Sequence, residues 1–558
     1  MSSAETGTAA AALPAPTQGA VRRLIVFVLL LSLVVVTATG VAGLLSRLLP
    51  GGEPMVIDDT AGLARSLAFT LVGGPLAGVL WWLVWRRLDT GIERRSLAWG
   101  LYVAGVCTIA LVAATTALLS TGAALVGGPI DPGLLASGLV WAAVWGVHRW
   151  MLRHAERGPQ RLVTLGPVIG AAFGLVIGVG GWVTAVGTVF DAALRAPGLS
   201  GSVGDPWWFA AVQGLVWGVG GSLVWWWHWA HDDTRHDRTA LAGVALILTG
   251  ILGAGILTLS GAGVSVFVAL RLLVDRTEPV TELLNPLGTA VAAGGIGAVV
   301  WVYHRAVTQR RDAAVRQAAR LVTSGVALVA AASGLGVIVN ALLASATISI
   351  AGSGSRTLLL AGLSALLVGG PVWWSLWRPV QRPEPGRSDI GSPGRRTYLI
   401  VVFGLSAVVA LITVLVLGYR VFEMILDPVS GRALLERVRA PLGLIVSTGL
   451  VAVYHLSVWR SDRAENTGPA AAGPPAISRV FLLADPPAAE LITLVERTTK
   501  ARVTLWPRRD ATVPAATARL GWADIDAMLV SDLQGVSARR VVLISGPDGR
   551  LQVVPLAD

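Results

Sequence analysis

Long apolar runs constrain this chain more than any other feature. Runs of about 20 residues, long enough to cross a hydrocarbon core of roughly 30 Å as a helix, recur along most of the sequence. The chain is 54% apolar and only 14% charged, whereas a soluble domain carries about 25% charge. The sequence therefore predicts a mostly α protein, a polytopic helical membrane bundle.

We predict twelve spans. They lie at 24–49, 62–85, 97–119, 133–152, 162–190, 207–229, 241–270, 286–303, 318–344, 357–377, 397–417 and 439–459. A cleaved signal peptide is the alternative for the first span. Its apolar region should be about 7–15 residues long. The run here is longer, which favours an uncleaved span.

A tryptophan motif ends the second, sixth and tenth spans. In each copy tryptophans stand at positions i, i+1 and i+4. The copies are Trp81, Trp82 and Trp85; Trp225, Trp226 and Trp229; and Trp373, Trp374 and Trp377. Their spacings of 144 and 148 residues are about right for a four-helix unit.

A histidine motif ends the fourth, eighth and twelfth spans. Its histidines, His148, His304 and His455, are 156 and 151 residues apart, close to the tryptophan spacing. The sequence thus predicts three tandem four-helix repeats at 22–158, 159–312 and 313–463. Each repeat starts and ends on the same side, so the repeats are parallel, and a site at a repeat interface is a common outcome of such duplication.

With these two motifs, residues 22–463 resemble a bacterial family of tandem four-span transmembrane domains that is named only as a domain of unknown function. The third repeat departs from the pattern, with Leu456 where the first two have Arg149 and Arg305. The resemblance implies an architecture and no activity.

The two ends of the chain have a different composition. The composition of residues 1–21 predicts a disordered tail, and residues 464–476 are expected to form a polar linker rich in Ala, Gly and Pro. Residues 477–558 predict a small soluble α+β domain in the order β-α-β-α-β-β. Its second helix is expected at 523–533, and its last two strands flank the turn 546–549 as a hairpin.

The arginines predict the orientation. Basic residues concentrate in the loops on the side of the N-terminus, so both termini are expected in the cytoplasm of a bacterial cell, in its inner membrane. Asp131-Pro132, Asp205-Pro206 and Asn285-Pro286 on the opposite side are expected to be helix N-caps followed by proline at the first helical position. The net charge of +11 is thus explained by topology, and we expect no nucleic acid partner.

The tryptophan clusters have two interpretations. One is an aromatic belt at the membrane interface, in contact with the lipid bilayer. The other is a cage or a clamp for lipid headgroups, formed together with the neighbouring arginines. Because most tryptophans lie at one end of the helices, a site of the second kind stays open.

The histidines also have two interpretations. His148, His304 and His455 could hold haem or a metal, or serve as polar helix ends that donate to a carbonyl or phosphate. We favour the second and expect no cofactor. A denser group of residues that can bind metal ions lies in the loop after the sixth span and is absent from the other two repeats. It consists of His228, His231, Asp232, Asp233, His236 and Asp237.

The spans carry almost no charge, which disfavours an energised transporter. Gln213 and Asn340 are the polar exceptions, Cys107 is expected to pack, and Gly170, Gly174 and Gly178 predict close helix contacts. No catalytic set is apparent. We expect a non-enzymatic membrane scaffold or assembly factor whose tail, 477–558, binds a cytosolic or membrane protein. The alternatives are a channel or facilitator for a neutral or lipid-like molecule and, less favoured, a haem or metal redox protein.

Overall fold

The structure is a computed structural model. It describes residues 15–49, 59–194, 206–346, 354–381, 393–426, 431–467, 477–484, 489–499, 501–507, 528–529, 531–533, 536, 538–545 and 551–556. The chain divides into two compact units, residues 1–455 and residues 456–558, and each is described by itself.

Twelve long helices occupy the described part of residues 15–467. They are α1 Ala15–Leu45, α2 Thr60–Arg87, α3 Leu97–Ala124, α4 Pro132–Arg153, α5 Leu165–Leu194, α6 Trp207–His231, α7 Ala240–Val274, α8 Leu287–Gln309, α9 Ala313–Ser345, α10 Gly354–Gln381, α11 Pro393–Leu426 and α12 Gly431–Thr467. A short helix, Val280–Leu284, precedes α8. All twelve coincide with predicted spans.

Eleven of these helices are long and apolar enough to cross a membrane, counted over the described residues. The chain therefore has the character of a multi-pass membrane protein. The exception to the expected twelve is α4. It has 22 residues, enough for about 33 Å of helix, but its last two turns contain His148, Arg149 and Arg153, which make it less apolar than the others.

The helix ends correct several predictions. Helix α1 begins at Ala15, with Pro16 in the first turn where no amide donor is needed, so 15–21 is helical rather than disordered. Residues 1–14 lie outside the described residues. Helix α12 continues into the expected linker as far as Thr467, because the first glycine and proline beyond the span are Gly468 and Pro469; 468–476 lie outside the described residues.

The three expected N-caps differ in outcome. Asp131 accepts hydrogen bonds from the amides of Gly133 and Leu134 (2.7 and 3.2 Å), as predicted. The Asn285 prediction is wrong: this residue follows the short helix Val280–Leu284 in helical conformation, and its amide bonds back to Glu282. Asp205 lies outside the described residues.

The helices of the first unit pack in a recurring way. Within the predicted repeats, α1 contacts α2, α5 contacts α6 and α9 contacts α10. Between repeats, α3 packs on α6, and α7 packs on α10, which is the same pairing one repeat later. These contacts bring the tryptophan and histidine motifs of each predicted repeat to one end of the bundle, which we call the Trp-His end.

Glycines allow the closest of these contacts. A Cβ placed on Gly174 would lie 2.4 Å from the amide nitrogen of Trp225, and one on Gly181 would lie 2.2 Å from that of Gly218. A Cβ on Gly170 would lie 2.5 Å from the His228 ring, and one on Gly178, which is less crowded, would lie 3.0 Å from the amide nitrogen of Ser222. The predicted close packing of the fifth span is confirmed, and α5 is one continuous helix.

The second unit contains a four-stranded sheet. Its strands are β1 Arg479–Ala484, β2 Arg502–Pro507, β3 Arg540–Ser545 and β4 Leu551–Leu556, in the order β2-β1-β3-β4. Strand β1 pairs in parallel with β2 and β3, whereas β3 and β4 are antiparallel, with Ser545 opposite Leu551. The predicted hairpin is therefore confirmed, although its turn, 546–549, lies outside the described residues.

One face of this sheet forms the core of the second unit. Val480 and Leu482 alternate inward from β1 and pack with Leu491 and Val495 of helix α13, Ala489–Thr499. Of the second predicted helix, 523–533, residues 528–529 and 531–533 are helical and the others lie outside the described residues. The α+β prediction is confirmed for the described strands and for α13.

Candidate functional site

The three tryptophans of each motif lie in different environments. The tryptophan at i+1 is half-exposed in every copy, with 51%, 53% and 51% of its surface accessible for Trp82, Trp226 and Trp374. The tryptophan at i+4 turns inward: Trp229 and Trp377 are buried, and Trp85 is partly buried. Only the i+1 position has the outward placement that an interface residue requires. The partly buried first tryptophans are Trp81, Trp225 and Trp373.

Two of the inward tryptophans donate hydrogen bonds to tyrosines of the histidine motif. Nε1 of Trp229 donates to the Tyr303 hydroxyl at 2.7 Å, and Nε1 of Trp377 donates to the Tyr454 hydroxyl at 2.8 Å. The first repeat has Val147 at the tyrosine position, and there Trp85 stacks on Trp150 with ring centroids 5.7 Å apart. The two motifs thus form one aromatic cluster per predicted repeat.

The three histidines have the same geometry. Nδ1 of His148, His304 and His455 lies 2.8 Å from a carbonyl oxygen one turn earlier, that of Val144, Val300 and Val451 respectively. All three rings are buried. Because a carbonyl only accepts, Nδ1 carries the proton and Nε2 is left as an acceptor. The structure thus has the histidines donating to carbonyls, one of the two roles considered.

The Nε2 atoms differ in their surroundings. Nε2 of His148 lies 3.1 Å from the Tyr102 hydroxyl, which donates to it. Nε2 of His455 is buried, and the described residues provide it with no partner. His304 fits against Gly250, where a Cβ would come within 2.6 Å of the ring. Each ring is therefore held by its own repeat.

The loop group after α6 separates into two parts. His228 and Asp232 are buried at the Trp-His end, with 3% and 4% of their side chains accessible, whereas Asp233 and His236 form an exposed pair at 2.5 Å. Among the described residues there is no group of three or more His, Cys, Asp or Glu side chains arranged to hold a metal ion. The predicted ligand set is thus divided between two separate interactions.

Asp232 is the centre of an ionic cluster that joins two predicted repeats. Its carboxylate accepts from Nδ1 of His228 at 2.8 Å, from Arg153 at 2.9 Å and, on the same oxygen, from Arg149. Both arginines belong to α4. Burial opposes ionisation of this carboxyl, but the hydrogen bonds from His228 and Arg149 outweigh it and hold the pKa of Asp232 below its ordinary value.

Local helix geometry brings His228 and Asp232 together. The last turn of α6, Trp227–His231, is a π-turn, closed by the Asp232 amide on the Trp227 carbonyl at 2.9 Å. The ring of His228 occupies the space above Gly170 of α5, where a Cβ would lie 2.5 Å from it. Sequence reasoning missed this cluster. The available signal was a His and an Asp four residues apart at the end of an apolar helix.

The same positions are apolar in the other repeats. Counted from the tryptophan motif, His228 and Asp232 correspond to Val84 and Leu88 in the first repeat, both buried, and to Leu376 and Val380 in the third. Arg149 corresponds to the exposed Arg305 and to Leu456. The ionic cluster is therefore a feature of the contact between the first and second repeats only.

The two polar residues of the spans lie apart. Gln213 lines a cavity of about 400 Å³ between α3, α5 and α6, together with Thr184, Trp217 and small residues. Asn340 does not line this cavity, and its Oδ1 is buried without a partner among the described residues. The cavity has one amide and one hydroxyl in an otherwise apolar wall.

The comparisons with known proteins bear on the architecture. A family model described as a domain of unknown function (DUF5671) matches residues 22–147 and 314–450. Together the two regions make up just under half of the chain, and they fall on the first and third predicted repeats. Their starts are 292 residues apart, the same offset as between Trp81 and Trp373. No curated protein and no solved structure matches the chain.

Proposed function

We propose that this protein is a non-enzymatic scaffold of the bacterial inner membrane, with twelve spans in three tandem repeats and both termini in the cytoplasm. In this proposal the helical unit anchors the chain, and the C-terminal α+β domain binds a partner protein. The family model matches two regions that start 292 residues apart, the same distance as between Trp81 and Trp373, and this supports the tandem part of the proposal. The proposal of a partner rests on the face of the sheet that lies opposite the core.

That second face consists of three registered rows of side chains. Strand residues alternate between faces, so Phe481 and Leu483 point away from the core that Val480 and Leu482 enter. Phe481 is paired with Thr504 and Val542, and Leu483 with Trp506 and Ile544. Trp506 is 49% exposed, and its ring lies 4.9 Å from that of Phe481. Phe481 itself is partly buried. An exposed tryptophan that contacts a second aromatic ring on an apolar sheet face is typical of a protein interface.

The remaining row identifies the chemistry of the partner. Arg479 is paired with Arg502 on one side and with Arg540 on the other, at the start of three adjacent strands and on the same face. All three are exposed. Like charges directly opposite in a sheet destabilise it, and an acidic group on a partner would relieve the repulsion between Arg479 and Arg502. We therefore expect a protein segment that combines acidic and apolar side chains.

Site-specific photo-crosslinking in the full-length protein in membranes tests this proposal. A photoreactive side chain at Thr504, on the proposed face, is expected to give one discrete protein adduct, with the crosslinked peptide rich in acidic and apolar residues. The matched position is Glu496, exposed on α13 on the opposite side of the sheet; it should give no such adduct. Arg479→Glu should abolish the adduct at 504. Adducts to lipid alone, or equal adducts at both positions, would overturn the proposal.

A second candidate function rests on the cavity beside Gln213. Its volume of about 400 Å³ and its apolar wall with a single amide suit a neutral or lipid-like molecule that hydrogen-bonds once. This would make the protein a facilitator or a carrier of such a molecule. Extraction of lipids bound to the purified protein tests it: a neutral lipid retained by the wild type and lost in Gln213→Leu supports this function, and equal lipid content in both contradicts it.

A further inference from the structure

A second cavity lies at the Trp-His end of the middle repeat and has a strongly basic wall. Its volume is about 290 Å³. The wall comes from the loop between α6 and α7 and from the end of α8: Arg235, His236, Arg238, Tyr303, Arg310 and Arg311. No acidic residue is among the lining residues. Four guanidinium groups around one space repel each other unless an anion lies between them.

One of these arginines is fixed by the backbone. Arg311 is buried and donates to the Arg235 carbonyl at 2.9 Å and to the Asp237 carbonyl, so it ties the end of α8 to the loop after α6. Burial lowers its pKa, and the neighbouring Arg238 acts in the same direction. The cavity wall is thus built on a rigid cationic group rather than on mobile side chains alone.

Two other arginines are unpaired. Within the part of the chain that the structure describes, the side chains of Arg238 and Arg310 are exposed and have no hydrogen-bond or ion-pair partner. The nearby acids act on other groups: Asp233 is bonded to His236 at 2.5 Å and to Arg235 at 3.5 Å, and the charges of Asp237 and Asp312 favour the charged form of Arg311. The unpaired charge therefore remains available to a ligand.

Tyr303 adds a neutral donor. Its hydroxyl already accepts a hydrogen bond from Nε1 of Trp229, so its own proton is directed elsewhere. The first repeat has Val147 here, with His154 and Ala155 at the positions of Arg310 and Arg311; the third has Ser461 and Asp462 there. The middle repeat alone combines these donors.

We propose that this cavity binds a phosphate group, held by Arg238 and Arg310 with Tyr303 as a further donor. Guanidinium groups bind the oxygens of phosphate and carboxylate in pairs of parallel hydrogen bonds. Phosphate carries more charge and more acceptor oxygens than a carboxylate, so it suits a wall with several guanidinium groups better. The phosphate can come from an anionic lipid headgroup or from a soluble phosphate. The exposed Trp226 lies in the tryptophan motif at this end of the bundle, and exposed tryptophans at the ends of membrane helices are typical of the headgroup region.

Binding to the purified full-length protein tests the proposal. The probes are a short-chain phosphatidylglycerol and inorganic phosphate, each titrated against the detergent-solubilised protein by calorimetry. Saturable binding of either probe is expected. Arg238→Gln and Arg310→Gln should each weaken it by about tenfold or more, because each removes a charge-assisted contact. The control is Arg305→Gln, which removes an exposed arginine of the same helix that does not line the cavity.

The two probes distinguish the sources. Binding of the lipid without competition from inorganic phosphate assigns the site to a lipid headgroup, and competition between them assigns it to the phosphate group alone. Binding of inorganic phosphate only assigns it to a soluble anion. The proposal is overturned if neither probe binds, or if Arg305→Gln weakens binding as much as the two cavity variants.

Discussion

At the scale of single residues, the ionic cluster around Asp232 is the least expected feature of the molecule. A buried ion pair is costly to form, because each charge loses its hydration, and costly to break, because the remaining charge is left without a partner. The protein itself contains the apolar alternative, since Val84 and Leu88 occupy the equivalent buried positions in the first repeat and Leu456 corresponds to Arg149.

The apolar residues found at these positions elsewhere in the chain suggest two variants that can be compared. Asp232→Leu alone should destabilise the protein by about 3–5 kcal/mol, because it leaves Arg149 buried without a counter-charge. The triple variant Arg149→Leu, His228→Val and Asp232→Leu should recover most of this loss, since it restores the residue types of the other repeats. Thermal unfolding in detergent measures both. A triple variant less stable than Asp232→Leu would show that the apolar set does not fit here.

The same cluster predicts a pH dependence. The pKa of Asp232 lies below its ordinary value of 3.8, so ionisation of this carboxyl stabilises the folded state. That contribution is complete above the unfolded value and is lost as the pH falls through the folded pKa. We expect the thermal stability of the wild type to fall more steeply below this value than that of the triple variant, in scans from neutral pH to about pH 3. Parallel curves would contradict this.

At the scale of elements, helix pairs depend on glycine contacts. Gly180 and Gly181 are neighbours in α5, but a Cβ on Gly181 would lie 2.2 Å from the backbone of Gly218, whereas one on Gly180 would meet nothing within 4 Å. Position 181 must therefore stay small, whereas position 180 has room for a side chain.

The two positions make a prediction with its own control. Gly181→Ala should lower stability by about 1–3 kcal/mol, because the two helices must separate to admit the methyl group. Gly180→Ala should be neutral or slightly stabilising, since alanine has the higher helix propensity. Unfolding in detergent compares them, and equal effects of the two substitutions would mean that α5 and α6 are not packed as closely as described.

The elements also show what local sequence determines. Apolar runs located all twelve long helices, and shorter apolar runs together with the hairpin turn located β1 to β4, because such runs follow from the burial of a neighbouring surface. The prediction of an N-cap at Asn285 was wrong because a short helix, Val280–Leu284, ends immediately before this residue. Neither the contact of Asp232 with Arg149, which is 83 residues earlier, nor the arginine cavity could be predicted, since both depend on which helix ends the fold brings together.

At the scale of the whole molecule, the repeated packing argues for duplication. The third helix of the first repeat contacts the second helix of the next, α3 with α6, and the same pairing recurs as α7 with α10. Residues 148–313, which lie between the two matched regions, contain both the ionic cluster and the basic cavity. The two matched regions therefore share one framework, and the two sites lie in the part of the chain that the family model does not match.

Whether three complete repeats cross the membrane depends on α4, the one long helix that falls short in apolar character among those described. Its charged residues lie at one end, and Arg149 and His148 are buried against neighbours rather than turned to lipid, so we expect α4 to span the membrane. Single cysteines test this in a variant lacking Cys107, at Gly128 before α4 and at Glu156 after it, both exposed. A membrane-impermeant thiol reagent should label position 128 in intact cells and position 156 only after permeabilisation. Labelling of both positions from the same side would leave α4 outside the membrane and reverse the orientation of every helix after it.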